Sequence, residues 1–142
     1  MAKEVRPTLR SIIVCERIVP DPENLNRVSL NNVINSIRPT GEPPYPLAHG
    51  QLSVFAQVTE CRGIGRVRVD IRRDETDELV FRTRTREVTF PNHPLVVYGF
   101  RFRILGCVFP AAGVYWVQLW YDDGLLGQLP ISLTSDTPHE GE

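Results

Sequence analysis

The sequence VYWVQLWYDDGLLGQLPISL, residues 114–133, decides the fold class. In its first half, Tyr115, Val117 and Leu119 occupy every second position, so they share one face, as the period-two pattern of a β-strand requires. Asp123-Gly124 then stands between two such runs, and this dipeptide is the strongest short-range signal for a β-hairpin. We therefore predict two antiparallel strands, over residues 114–121 and 125–133.

The rest of the chain repeats this pattern. No segment shows a sustained helical period, and turn residues recur at roughly ten-residue spacing, as in two-sheet sandwiches. A stiff connection over residues 39–46, in which four of eight residues are proline, is predicted to cross between sheets. Six further strands are predicted, over residues 9–16, 28–37, 51–59, 66–73, 79–90 and 95–109.

These eight strands predict an all-β protein, an antiparallel two-sheet β-sandwich. The 142 residues suit one domain that buries a core without disulfides, with a polar C-terminal tail over residues 134–142. Within residues 95–109 the apolar phase reverses near Gly106, which indicates a β-bulge or a bend between sheets.

Five short motifs stand out in the sequence: Ile13-Val14-Cys15-Glu16, Val28-Ser29-Leu30-Asn31-Asn32-Val33, Pro43-Pro44-Tyr45-Pro46, Gly113-Val114-Tyr115 and Asp123-Gly124. Together they resemble an uncharacterised family of small bacterial proteins of unassigned function. The shared features are a Cys-acidic first strand, a Ser-Leu-x-x-Val second strand, a Pro-rich crossover, a late Gly-x-Tyr strand and an Asp-Gly hairpin. The resemblance implies an immunoglobulin-like or C2-like sandwich of bacterial, cytoplasmic origin, and it implies no activity.

The cysteines and the hydropathy indicate a compartment. Cys15, Cys61 and Cys107 are odd in number and far apart, so neither a zinc site nor a disulfide framework is favoured. The N-terminus leads to no apolar signal segment, and the longest apolar run is too short to span a bilayer. We expect a soluble cytoplasmic protein with free thiols and no cofactor.

The sequence lacks a catalytic signature. His49, His93 and His139 fall in predicted loops or in the tail, and no Gly-x-Ser-x-Gly elbow is present. A Cys–His pair could still meet in space, yet Cys15 and Cys107 lie in apolar strands, where cysteines are usually inert. We predict that the protein is not an enzyme and has no catalytic, cofactor-binding or metal-binding residues.

Three acidic loops leave one metal alternative open. They contain Asp21 with Glu23, residues 74–78, and Asp122 with Asp123. C2-like sandwiches can hold calcium between such loops, but calcium needs several converging oxygens. Turn chemistry and solvated charge are the interpretation that we favour.

Arginines form a candidate anion-binding stripe. Residues 62–103 carry ten Arg and six acids, a net charge of +4, whereas residues 104–142 carry five acids and no base. If the fourth and fifth strands pair, their arginines form a basic patch that suits phosphate or nucleic acid. The alternative, a solvated face balanced by Asp70 and Glu87, is favoured by the net charge of −1. The stripe comprises Arg66, Arg68, Arg72, Arg82, Arg84 and Arg86.

Two tryptophans mark a candidate partner-binding face. Trp116 and Trp120 lie on one face with Gln118 between them, and flat aromatics suit sugar stacking or a protein hot spot. The turn at residues 110–113 predicts that the sixth and seventh strands pair, which would stack Arg101 and Arg103 on the indoles. Ordinary packing under a loop or under long arginine side chains is the competing interpretation.

These observations favour a non-enzymatic interaction or assembly module that acts through a sheet face or a strand edge. A protein partner or a second copy of the chain is the expected ligand, and nucleic acid is disfavoured. The alternative is a ligand-binding sandwich for a polyanion or a carbohydrate. Salt-sensitive retention on a polyanion would favour the second function over the first.

Overall fold

The computed structural model describes residues 6–25, 27–90, 93 and 95–135. These residues form ten strands in two packed sheets, so the predicted β-sandwich is confirmed. The strands are β1 (Thr8–Pro20), β2 (Val28–Val33), β3 (Ser36–Ile37), β4 (Leu47–Thr59), β5 (Gly63–Arg73), β6 (Leu79–Arg82), β7 (Arg86–Phe90), β8 (Tyr98–Phe109), β9 (Gly113–Tyr121) and β10 (Gly124–Leu133).

The first sheet has the strand order β2-β1-β4-β8, and the second has the order β3-β10-β9-β5-β6. β7 also pairs with β5, next to β6 and on the same edge. Every pairing is antiparallel except that of β3 with β10. The edges of β8 and β6 lie side by side, with Cα atoms within 8 Å of each other.

Inward-facing side chains of both sheets form one core. On β4, β5 and β9 they alternate with outward residues as the sequence predicted, and Val54, Val69, Val117 and Leu119 are wholly buried. The hairpin of β9 and β10 pairs from Gly113 with Leu133 to Tyr121 with Gly124. The predicted hairpin within residues 114–133 is therefore confirmed.

The predicted second strand, residues 28–37, is two strands in different sheets. β2 pairs with β1 in the first sheet, and β3 pairs with β10 in the second. The amide of Ile34 donates to the carbonyl of Val14, and the amide of Ser132 donates to that of Asn35, so the chain changes sheets between these two residues. The proline-rich connection then returns from the second sheet to β4, which confirms the predicted crossover.

The predicted fifth strand, residues 79–90, is interrupted at residues 83–85. Asp70 pairs with Arg82 and Val67 pairs with Arg86, so four steps along this chain segment face three steps along β5. The Thr83 hydroxyl accepts the Val69 amide at 2.9 Å in place of a ladder carbonyl. One extra residue reverses the side-chain phase, so Arg82 and Arg86 point to opposite faces.

The phase reversal on β8 also occurs, but without an inserted residue. Ile104 and Cys107 are buried, whereas Leu105 and Gly106 are exposed, and Gly106 adopts a φ of 65°. The register with β4 is unchanged from Tyr98 to Phe109, so the feature is a local bend and not a bulge. The strand begins at Tyr98 and not near residue 95.

A close approach of backbone and ring fixes the identity of Gly65. A Cβ atom at this position would overlap the ring of buried Tyr121. We expect Gly65→Ala to destabilise the protein by about 1–3 kcal/mol, because the tyrosine must leave its place in the core. Chemical denaturation measures the effect. Gly50→Ala, whose Cβ meets nothing within 4 Å, is the control, and an equal effect of both changes would contradict this account.

Candidate functional site

The tryptophan face is the outer surface of the second sheet around Trp116, Gln118 and Trp120. Trp116 Nε1 donates to Asp74 Oδ1 at 2.7 Å, and Trp120 Nε1 donates to Gln118 Oε1 at 3.1 Å. The Gln118 amide in turn donates to Gln128 Oε1 at 3.0 Å. Both indoles are half-buried, and their N–H groups bond within the chain.

The guanidinium that covers an indole comes from β5. Arg68 lies opposite Trp120 in the register, and its Cζ is 4.9 Å from the ring centroid. The prediction that Arg101 and Arg103 stack there is wrong, because β8 pairs with β4 and belongs to the other sheet. These two arginines therefore lie on the opposite outer face of the sandwich from the indoles.

The cause is the connection at residues 110–113, which crosses between sheets and does not form a hairpin. Phe109 and Tyr115 both point into the core, and their rings meet edge to face with centroids 5.0 Å apart. The Tyr115 hydroxyl donates to the Ala111 carbonyl at 2.7 Å and accepts the Ala111 amide at 3.3 Å. The two strands thus face each other across the core.

Asp70 forms ion pairs with three arginines on the outer face of the second sheet. Its carboxylate is fully buried, and Arg82 donates to both oxygens, at 2.9 and 3.0 Å. Arg68 bonds at 3.2 Å, and Arg72 lies at 3.7 Å. Burial would raise the pKa of Asp70, but hydrogen bonds from Arg82 and Arg68 and their positive charges hold it below its usual value. This carboxylate therefore remains ionised.

The predicted anion stripe is consequently divided. Arg68, Arg72 and Arg82 surround Asp70, and Arg66 lies farther along β5, opposite Glu87. Arg84 and Arg86 follow the bulge and turn toward β8 instead. The six arginines do not form one patch, and the interpretation of a balanced face fits the first three.

The arginine groove lies between the β6–β7 edge and the β8 edge. Its volume is about 490 Å³, and its floor and walls include Phe81, Thr83, Phe102 and Leu105. The arginines that line it are Arg82, Arg84, Arg86, Arg101 and Arg103. An adjoining cleft of about 530 Å³ shares Arg101 and Arg103 and adds Arg17.

Arg86 is held in place within this groove. Its Nη2 donates to the Arg101 carbonyl at 2.6 Å, and its Cζ lies 4.4 Å from the centroid of the Phe102 ring. Desolvation lowers the pKa of Arg86, and the positive charge of Arg101 lowers it further. The positive charges of Arg86 and Arg101 therefore lie close enough to interact at the groove.

Carboxylates do not balance this charge within the described part of the chain. The ion pairs there join Arg68, Arg72 and Arg82 to Asp70, and Arg73 to Glu75. None of Arg84, Arg86, Arg101 and Arg103 has an ion-pair partner among the described residues. Sequence reasoning missed this cluster, because no local pattern shows that the edges of β6 and β8 meet.

Nucleophilic and metal chemistry gain no support from the geometry. His49 lies in β4 and not in a loop, directly opposite Cys107, but no hydrogen bond joins the two side chains. All three cysteines are free and buried, and burial raises the pKa of Cys61 and of Cys107 to about 11. Both thiols are therefore protonated at neutral pH.

Among residues 6–25, 27–90, 93 and 95–135, no group of three or more His, Cys, Asp or Glu side chains could hold a metal ion. The same residues contain no helix long and apolar enough to cross a membrane. The turn predicted at residues 91–94, apart from His93, and the tail from residue 136, including His139, lie outside the described residues.

Two comparisons with known proteins bear on identity. A search of curated proteins found none that matches the sequence. A protein-family model described as "Family of unknown function (DUF6941)" matches residues 11–134, which include every strand from β2 to β10 and most of β1. The expected resemblance to an uncharacterised family is thus confirmed, and the chain belongs to the DUF6941 family of unknown function.

Proposed function

We propose that this chain is a non-enzymatic interaction module that binds an anionic partner in the arginine groove. One observation carries the proposal: Arg84, Arg86, Arg101 and Arg103 converge on one groove, and none has a carboxylate partner among the described residues. Guanidinium groups bind carboxylate, phosphate and sulfate through paired hydrogen bonds.

A contrast within the chain supports this choice. Where arginines crowd on the second sheet, a fully buried Asp70 lies among them and neutralises part of their charge. The groove brings Arg84, Arg86, Arg101 and Arg103 together with no such carboxylate among the described residues. Their like charges repel each other, and a bound anion would relieve this repulsion. The tryptophan face is a weaker candidate for the binding site than the groove. Its indole N–H groups bond within the chain, and Arg68 covers Trp120.

Fluorescence anisotropy with three labelled anions tests the proposal: an octaglutamate peptide, a thymidine octanucleotide and a heparin octasaccharide. We expect the wild type to bind at least one probe at about 50 mM salt and to release it as the salt approaches about 200 mM. The triple variant R84Q/R101Q/R103Q should bind that probe at least about tenfold more weakly.

The matched control is R10Q/R27Q/R62Q, which removes the same charge from exposed arginines outside the groove. Its affinity for the probe should stay within about twofold of the wild-type affinity, because it loses only the long-range attraction of the three removed charges. If the wild type binds none of the probes, or if both triple variants lose affinity equally, the groove is not an anion site.

A further inference from the structure

We infer that the anionic partner is an acidic protein segment, bound in extended conformation along the edge of β8 that lines the groove. This inference rests on the proposed function and names the class of ligand for the same groove. It depends on three observations: the backbone of β8, the spacing of its arginines and the burial of the groove's aromatic floor.

The β8 backbone offers hydrogen bonds to the groove. Within the described residues β8 pairs with β4 alone. Arg86 reaches the Arg101 carbonyl from across the groove, so the Arg101 backbone points away from β4. Because backbone groups alternate sides along a strand, those of Gly99, Arg103 and Leu105 point the same way. A peptide in extended conformation can bond to the backbone groups of this edge that Arg86 leaves open.

The arginine spacing matches an extended acidic chain. Arg101 and Arg103 are two residues apart on one strand, about 6.6 Å, and alternate residues of an extended peptide have the same separation. Arg86 approaches from the other side of the β8 edge, toward Phe102. Both faces of a bound strand would therefore meet guanidinium groups, which favours a run of consecutive acidic residues.

The aromatic floor disfavours nucleic acid. Proteins that bind single strands without base pairing stack the bases on exposed aromatic faces. Phe102 is only 4% exposed and lies under Arg86, so it offers no such face. Phe81 is half-buried in the opposite wall. The groove thus provides charge and backbone hydrogen bonds without a stacking platform.

Titration of the wild type with octaglutamate and the thymidine octanucleotide tests the ligand class. We expect octaglutamate to bind at least about tenfold more tightly. An octaglutamate peptide that is N-methylated at alternate residues keeps its charge but loses donors on one edge, and it should also bind at least about tenfold more weakly. Equal binding of the methylated peptide would overturn the extended, edge-bound arrangement.

A charge exchange separates this inference from the proposed function. The double variant R101E/R103E should lose octaglutamate and gain octalysine, and circular dichroism would verify its fold. If the oligonucleotide or heparin binds more tightly than the peptide and depends on the same arginines, the anion site stands and the acidic-segment inference fails. If no anion depends on the groove, both fail.

Discussion

Replacing Asp70 with asparagine is expected to destabilise the protein by about 3 kcal/mol, near the lower end for breaking a buried ion pair. The carboxylate is 0% exposed and serves three arginines, so its loss leaves three cations without their shared anion. The cost stays at the lower end because Arg68, Arg72 and Arg82 are 19%, 24% and 45% exposed and keep part of their hydration.

Chemical denaturation of the wild type and Asp70→Asn measures this effect. Glu75→Gln is the control, since Glu75 is 79% exposed and its ion pair with Arg73 should contribute no more than about 1 kcal/mol. Equal destabilisation by the two changes would contradict the central role of Asp70.

The pH dependence has a definite direction. Because the pKa of Asp70 is lowered in the folded state, its contribution is fully present above the usual carboxyl pKa of about 3.9. The contribution is lost as the pH falls through the lowered value. The stability difference between wild type and Asp70→Asn should therefore shrink below about pH 4. A difference that stays constant from neutral pH into this acid range would refute the linkage.

Replacing Tyr115 with alanine is expected to cost about 3–5 kcal/mol, the range for deleting a large buried aromatic side chain. The ring is fully buried against Phe109, and the hydroxyl bonds both backbone groups of Ala111 in the connection between the sheets. Tyr115→Phe keeps the ring and should cost about 1–2 kcal/mol through the two lost hydrogen bonds.

The pair of variants divides the effect between packing and hydrogen bonding, and denaturation curves of both measure it. If phenylalanine costs as much as alanine, the hydroxyl alone holds the connection. If alanine leaves stability within about 1 kcal/mol of the wild type, the contact between Phe109 and Tyr115 does not hold the two sheets together.

The strands were predictable from the sequence to a greater extent than their partners. Alternation along β5 and β9 depends on which face each side chain presents to the core, and this is a local property. Whether β8 lies beside β9 or across the core from it depends on the Phe109–Tyr115 contact, which no period-two pattern records. The wrong ladder of Arg101 and Arg103 on the indoles followed from this one assumption about pairing.

The division of the predicted arginine stripe could not be read from the sequence for a similar reason. In the sequence, residues 79–90 look like one continuous strand, because no Gly or Pro marks the residue that is inserted opposite β5. Its position is fixed by the Thr83 hydroxyl, which accepts the Val69 amide. Period-two reasoning placed Arg82 and Arg86 on one face, and the inserted residue places them on opposite faces.

Because of the bulge at residues 83–85, the number of residues in this segment, more than their type, determines on which face each arginine of this edge lies. The arginine before it completes the Asp70 cluster, and the one after it enters the groove. Removing one residue between them would restore continuous alternation and turn the second guanidinium toward the outer face. A relative that is one residue shorter at this point would therefore keep the same arginines, but the arginine equivalent to Arg86 would not enter the groove.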